Sequence, residues 1–170
     1  MKNKTSLTKD AILKDPYNYT LKEMKDCLGE EMATDFFESL YKNKPKIQNQ
    51  TVKIKEVFNG KDTLKYAFEL SDGYCIETVC IKRKTGITVC VSTMVGCPVG
   101  CIFCASGKNG FIRNLSSSEI VQQIVLLKEK VNRIVFMGMG EPLLNYGEVI
   151  KAIHILRDRD GLNFPTDGIT

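Results

Sequence analysis

From residue 86 onward the chain alternates in a way that few folds accept. "GITVCVSTMV" is strand-like, and "SSSEIVQQIVLLKEK" is an amphipathic helix with a capping box expected between Ser116 and Glu119. "NRIVFMGMG" reads as a buried strand ending in glycines, "YGEVIKAIHILRDRD" as a second helix, and "PTDGIT" as the start of another strand. Strand, helix, strand, helix, strand is the signature of a parallel sheet or barrel. Parallel strands need neighbours and helical cover, so the pattern predicts a module whose third strand has only begun when the chain stops at Thr170. The expectation is a C-terminally truncated chain.

The earlier residues follow another pattern. Residues 1 to about 43 read as polar helices, in which Leu21, Met24, Leu28 and then Met32, Phe36, Phe37, Leu40 fall at helical spacing. Four strand-like runs follow, "QTVKIKEVF", "TLKYAFEL", "YCIETVCIK" and the "GITVCVSTMV" already quoted, with turns expected at "NGKD" and "SDG". Leu64, Tyr66, Phe68 and Leu70 alternate onto one face. The fold class expected is α/β: an N-terminal helical region with a small antiparallel sheet over 1–85, then the first strand–helix units of a parallel barrel over 86–170.

A chain of 170 residues can bury a moderate core. Its start, "MKNKTSLTKDAILKD", has no signal-peptide apolar region, and no run of about 18 apolar residues occurs. A cytoplasmic setting with reduced thiols is expected, where seven cysteines suggest metal or redox chemistry more than a disulfide framework. Net charge is +4, compatible with a nucleic-acid partner without demanding one. "YKNKPKIQNQTVKIK" carries five lysines and no acid, and Lys82-Arg83-Lys84 adds a second basic cluster. On charge alone, both read as solvated faces.

Three of the cysteines, Cys97, Cys101 and Cys104, stand in eight positions on a Gly- and Pro-bearing loop after a strand. The end of a parallel strand is where α/β folds place ligands. Three thiolates are one short of a closed zinc site, and His154, the one histidine, lies far along in a helix. A four-iron cluster can be held by three cysteines with its fourth iron open to a substrate. Zinc completed by Cys27, Cys75 or Cys80, or ordinary buried thiols, are the structural alternatives. Further on, "FMGMGEP" ends the next strand. Its glycines let backbone approach a ligand, and Glu141 offers a carboxylate for an ammonium group, although such a segment is more often a plain turn.

The CxxxCxxC spacing, with Phe103 before the third cysteine, resembles the hallmark of the radical S-adenosylmethionine (SAM) enzymes. "CVSTMVGCPVGCIFCASGKNGFIRNLSSSEI", "FMGMGEPLLN" and the upstream "IETVCI" together resemble the RlmN family of dual-specificity ribosomal and transfer RNA adenine (carbon 2) methyltransferases. The resemblance covers nearly the whole chain but only the first part of the family's enzyme, which has a six-stranded partial barrel. It implies a [4Fe-4S] cluster on Cys97, Cys101 and Cys104, and SAM held at Gly140 and Glu141. It implies ribosomal and transfer RNA as partners, an electron donor for the cluster, no membrane, a monomer, and an RNA-binding role for residues 1–85.

The resemblance also implies a two-stage reaction. One SAM methylates a C-terminal cysteine. A second yields a 5′-deoxyadenosyl radical that takes hydrogen from that methyl group, and the carbon radical adds to adenine carbon 2. A second cysteine resolves the adduct by forming a disulfide with the first, while a base removes the carbon-2 proton. Cys90, seven positions before Cys97, matches the resolving cysteine, although taken alone it is an ordinary strand thiol. Glu77 matches the proton acceptor.

Glu77 is the one charged residue between Tyr74 and Ile81, in a run that reads as apolar on both faces. It is expected to be paired or to hold a raised pKa suited to base work; the alternative is a sheet-edge carboxylate facing water. No cysteine follows Cys104, so the methyl-carrying residue is not in this chain and the chain alone is expected not to methylate RNA. Competing readings are the sister activity at adenine carbon 8, a non-catalytic RNA-binding module with zinc in the cysteine loop, and a truncated product with no function of its own.

Overall fold

The computed structural model describes residues 7–42, 50–108 and 110–170, so residues 43–49 of the lysine-rich stretch between 41 and 55 lie outside the described residues. Three helices come first: α1 (Lys9–Lys14), α2 (Leu21–Leu28) and α3 (Glu30–Tyr41). Thr20 and Glu23 form a capping box that fixes the start of α2, and Gly29, at φ +87°, ends it and turns the chain into α3. The face of α3 that packs inward carries Ala33, Phe37, Leu40 and Tyr41. Met32, expected on that face, is exposed, because the buried stripe runs one residue out of step with it, through 33, 37 and 40–41.

The strands follow as β1 (Val52–Asn59), β2 (Thr63–Leu70), β3 (Cys75–Arg83) and β4 (Gly86–Cys90), an antiparallel meander. After a break come β5 (Met94–Gly96) and β6 (Phe111–Asn114), which pair as a short ribbon around the cysteine loop. Helix α4 (Ser117–Val125) leads to β7 (Val131–Val135), which lies parallel to β4, and α5 (Tyr146–Arg157) follows. The sheet order is β1-β2-β3-β4-β7, so the antiparallel meander runs without interruption into the parallel part. Ile169 bridges Ile134 in parallel, and Thr170 exchanges hydrogen bonds with Ile134 and Phe136. The third parallel strand therefore begins where the sequence predicts it.

Strict alternation divides the sheet into two faces. Leu64, Tyr66, Phe68, Leu70, Ile76, Thr78, Cys80, Val89 and Ile134 point to one face and are buried beneath the helices. Fully burying a side chain such as Phe68 or Ile76 stabilises the fold by roughly 1.5–3 kcal/mol. Lys65, Glu69, Cys75 and Glu77 point to the other face and are half-exposed or exposed. The β3 run that reads as apolar on both faces thus has one dry face and one wet one.

Helix α4 departs most from its sequence pattern. It is shorter than the run to Lys130 suggests, and every residue from Ser117 to Ile124 is buried, polar ones included. The polar side is covered by the chain's own N-terminal part. The Ser118 hydroxyl donates to Asp15, the Ser117 hydroxyl to Asn18 (2.6 Å), and Gln122 bonds the backbone N–H of Thr51 and Val52. The expected capping box of Ser116 and Glu119 is present.

Candidate active site

Between β4 and β5 the chain leaves the sheet for three residues, Val91–Thr93, and every hydrogen bond there is directed. Val91 N–H donates to the Val135 carbonyl (3.0 Å), and its own carbonyl accepts from Gly138 N–H (3.0 Å). Ser92 is held at both backbone groups by Gln123 of α4, whose Oε1 accepts from Ser92 N–H (2.8 Å) and whose Nε2 donates to the Ser92 carbonyl (2.9 Å). The same Oε1 accepts from the Thr78 hydroxyl of β3 (2.7 Å). The Ser92 hydroxyl donates to the Glu77 carbonyl (2.6 Å) and accepts from Met139 N–H (3.0 Å). Buried Asn145 donates to the Thr93 and Leu115 carbonyls. A bend carrying this many backbone polar groups can be buried only because each has a partner.

The cysteine loop springs from the β5–β6 ribbon. Cys97 N–H meets the Gly110 carbonyl at 3.2 Å, and a Cβ on Gly96 would stand 2.0 Å from that same oxygen, so glycine is required for the two sides to close. Cys104 N–H turns back onto the Cys101 carbonyl at 3.1 Å. Arg113 of β6 fastens the ribbon from outside. It makes two parallel bonds of 2.8 Å to Glu119 and a third of 2.6 Å to Asp72 in the β2–β3 turn. Glu119, buried and bonded, raises the Arg113 pKa, and Arg113 in turn holds the Asp72 carboxyl below its usual range.

Cys101 is exposed, and Cys97 and Cys104 are half-buried. The N–H and hydroxyl of Ser106, helped by the Gly107 N–H, lower the Cys104 pKa, as suits a thiolate donor. Ile102 and Phe103, between the second and third cysteines, are 97% and 88% exposed, and Met137, Leu143 and Tyr146 are exposed as well. Among the described residues no three His, Cys, Asp or Glu side chains are gathered closely enough to hold a metal ion. The donor chemistry of the loop, three thiols at close spacing with no competing acid among them, fits an iron–sulfur cluster.

The "FMGMGEP" segment follows β7. Its glycines admit neighbouring parts of the chain: a Cβ on Gly138 would lie 2.6 Å from the Val91 carbonyl, and one on Gly140 (φ +102°) would lie 2.6 Å from the Met94 side chain and 2.8 Å from the Thr93 hydroxyl. These approaches to Val91–Met94 lock the segment beside the root of the cysteine loop. The Glu141 carboxylate accepts from Leu143 N–H (3.0 Å) at the start of a short 3₁₀ turn.

Cys90 ends β4 opposite Val79 and Val135, with its sulfur accepting from Met137 N–H. Burial raises its pKa, and the Met137 bond offsets part of that rise. The Glu77 side chain is 51% exposed and pairs with Lys65 at 2.9 Å. It is thus paired, but on the open face of an inner strand rather than enclosed among apolar residues or at a sheet edge. Cys27 lies on α2, Cys75 exposed at the start of β3, and Cys80 on the buried face of that strand, so the three thiols are dispersed. His154 is exposed on α5. Sequence reasoning missed Ser92, Gln123, Asn145 and Arg113. The one signal for Arg113 was its place three residues after Gly110, in a strand too short to read.

A cavity of about 780 Å³ lies elsewhere, among α3, the end of α4 and Leu162–Pro165, and includes none of these residues. Among the described residues no helix is long and apolar enough to cross a membrane.

Residues 91–170 match the radical SAM superfamily. A probable RNA methyltransferase of Rhodopseudomonas palustris (strain BisB5) is 61% identical over 111 residues, which is 65% of this chain and 31% of that protein. A probable dual-specificity RNA methyltransferase RlmN of Pseudothermotoga lettingae is 48% identical over 128 residues, 73% of this chain and 37% of that protein. The crystal structure of a radical SAM methyltransferase from Sphaerobacter thermophilus superposes with a TM-score of 0.84 at 30% identity, covering 90% of this chain and 55% of that one. The chain spans about a third of the length of the curated relatives it matches.

Proposed function

Since the chain is related to the RlmN-type radical SAM enzymes, with residues 91–170 in the radical SAM superfamily, we propose that it supplies the cluster-bearing part of an RNA methyltransferase. Its target would be carbon 2 of an adenine in ribosomal and transfer RNA. The observation that carries this reading is the three-thiol loop, closed at its base and fastened beside Met139–Glu141 and the end of β4. In the radical SAM superfamily a [4Fe-4S] cluster and SAM, when bound, supply a carbon-centred radical that abstracts hydrogen.

Cys97, Cys101 and Cys104 would hold the cluster through their thiolates. The Glu141 carboxylate and the backbone around Gly140 would grip the amino group of the SAM methionine, for which Glu141 must exchange its Leu143 partner. Glu77 would take the proton from adenine carbon 2, leaving Lys65 to do so. Cys90 would resolve the protein–RNA adduct by pairing with the methyl-carrying cysteine. Residues 1–85 would act as an accessory RNA-binding domain and 86–170 as the barrel part, in a monomeric cytoplasmic enzyme that draws electrons from a separate donor.

The test is anaerobic iron–sulfur reconstitution followed by electron paramagnetic resonance of the reduced protein with and without SAM. A four-iron signal that shifts on adding SAM supports the reading, and Cys97→Ser, Cys101→Ser and Cys104→Ser should each abolish it. A colourless protein with one zinc would sink it. In a protein that turns over, mass mapping of the product decides between carbon 2 and carbon 8.

A further inference from the structure

The three segments assigned above to the base, the resolving thiol and the SAM amino group come from distant parts of the chain, and one side chain joins them. We propose that Ser92 is a positioning residue of this site, its hydroxyl locking the Met139–Glu141 segment to β3 at Glu77; this rests on the function proposed above. Ser92 is fully buried, two residues past Cys90 and five before Cys97. Its Oγ gives its proton to the Glu77 carbonyl at 2.6 Å and takes one from Met139 N–H at 3.0 Å. A hydroxyl donates and accepts at one atom in this way; alanine does neither, and the two backbone groups face opposite demands.

The lock is aimed as well as bonded. Gln123 fixes the Ser92 backbone on both sides, so the hydroxyl cannot drift with the loop, and Gln123 is itself braced by Thr78 and by the Glu119 carbonyl. Gly138 and Gly140 then bring the second segment against Val91–Met94 with no room for a Cβ. Met139 N–H is bonded to a side chain, whereas its neighbour Gly138 N–H is bonded to the Val91 carbonyl. The two adjacent amides therefore separate the hydroxyl's role from the general integrity of the bend.

The experiment compares the full chain with its Ser92→Ala variant. Amide exchange by nuclear magnetic resonance is read first, without cluster or SAM. In the unaltered protein Met139 should be protected although it lies outside any strand, and an amide exchanging as freely as open loop would overturn the proposal whether or not the variant folds. In Ser92→Ala, Met139 should exchange at least about tenfold faster while Gly138 stays within about twofold. Equal acceleration of both amides, or of neither, would overturn it. After reconstitution, the variant should give the same signal without SAM but need about tenfold more SAM for the shift. An unchanged SAM requirement would refute the positioning role. If the unaltered protein shows no SAM response at all, the function proposed above fails, and the exchange ratio still decides whether Ser92 is the lock.

Discussion

Glu77 and Cys90 share one face of the sheet a single ladder step apart: Cys90 stands opposite Val79, and Glu77 lies two residues along β3 on the same side. Diagonal neighbours of this kind stand roughly 7–8 Å apart. The face they share is the one the helices leave open. Glu77 is anchored there by an exposed Lys65 pair, which contributes little to stability. Glu77→Gln should therefore move the thermal midpoint by less than about 2 °C, while abolishing release of RNA in any assembly that forms the adduct. A larger fall in calorimetry would mean that Glu77 is structural.

Arg113 should behave in the opposite way. Its partner Glu119 is buried, so Arg113→Ala leaves a carboxylate with its fork of bonds missing and should cost about 2 kcal/mol in urea unfolding. Asp72→Asn touches only the exposed arm of the network and should cost well under half of that.

Glycine at 140 is required twice, by its φ of +102° and by the 2.6 Å approach to Met94. Gly140→Ala should destabilise the protein by about 2 kcal/mol or more and loosen the Met139–Glu141 segment. Gly147, in the first turn of α5 with nothing within 4 Å of its added Cβ, is the control. Gly147→Ala should be neutral or slightly stabilising in the same denaturation series.

Burial beneath the helices, with Glu129 nearby, pushes the Cys80 thiol from its ordinary value near 9 up to about 12. The folded state thus favours the protonated form. The resulting stability is fully present below pH 9 and is lost as pH rises from there towards 12. Unfolding midpoints should decline between pH 8 and pH 10, and Cys80→Ala, although less stable at neutrality, should decline less. Parallel curves would show that another group carries the alkaline loss.

The elements that read well from the sequence are those whose signal is local. β2 shows its alternation in eight residues, Ser116 and Glu119 announce a helix start, and Ile169 takes up the parallel pairing that the βα rhythm demands. Three thiols at fixed spacing were legible for the same reason. What escaped was polar and long-range. Gln122 and Gln123 have the look of a solvent face, and nothing near them in sequence says that Thr51, Thr78 and Ser92 will cover them. The break at Val91–Thr93 hides inside a run of β-formers, because its cause is Gln123, thirty-odd residues away. Glu77 misled for a related reason: its neighbours fill a dry face, but its own face stays wet.

The meander and the parallel strands share a ladder, and Val79 to Arg83 pair residue by residue with Cys90 to Gly86 across the turn at 84–85. A cut at that turn would not free two modules. It would expose a five-residue strand edge on each fragment, the kind of edge that recruits other chains into aggregates. A gene fusion or domain exchange that places its junction there should yield insoluble halves, whereas a junction that keeps β3 with β4 leaves the sheet whole.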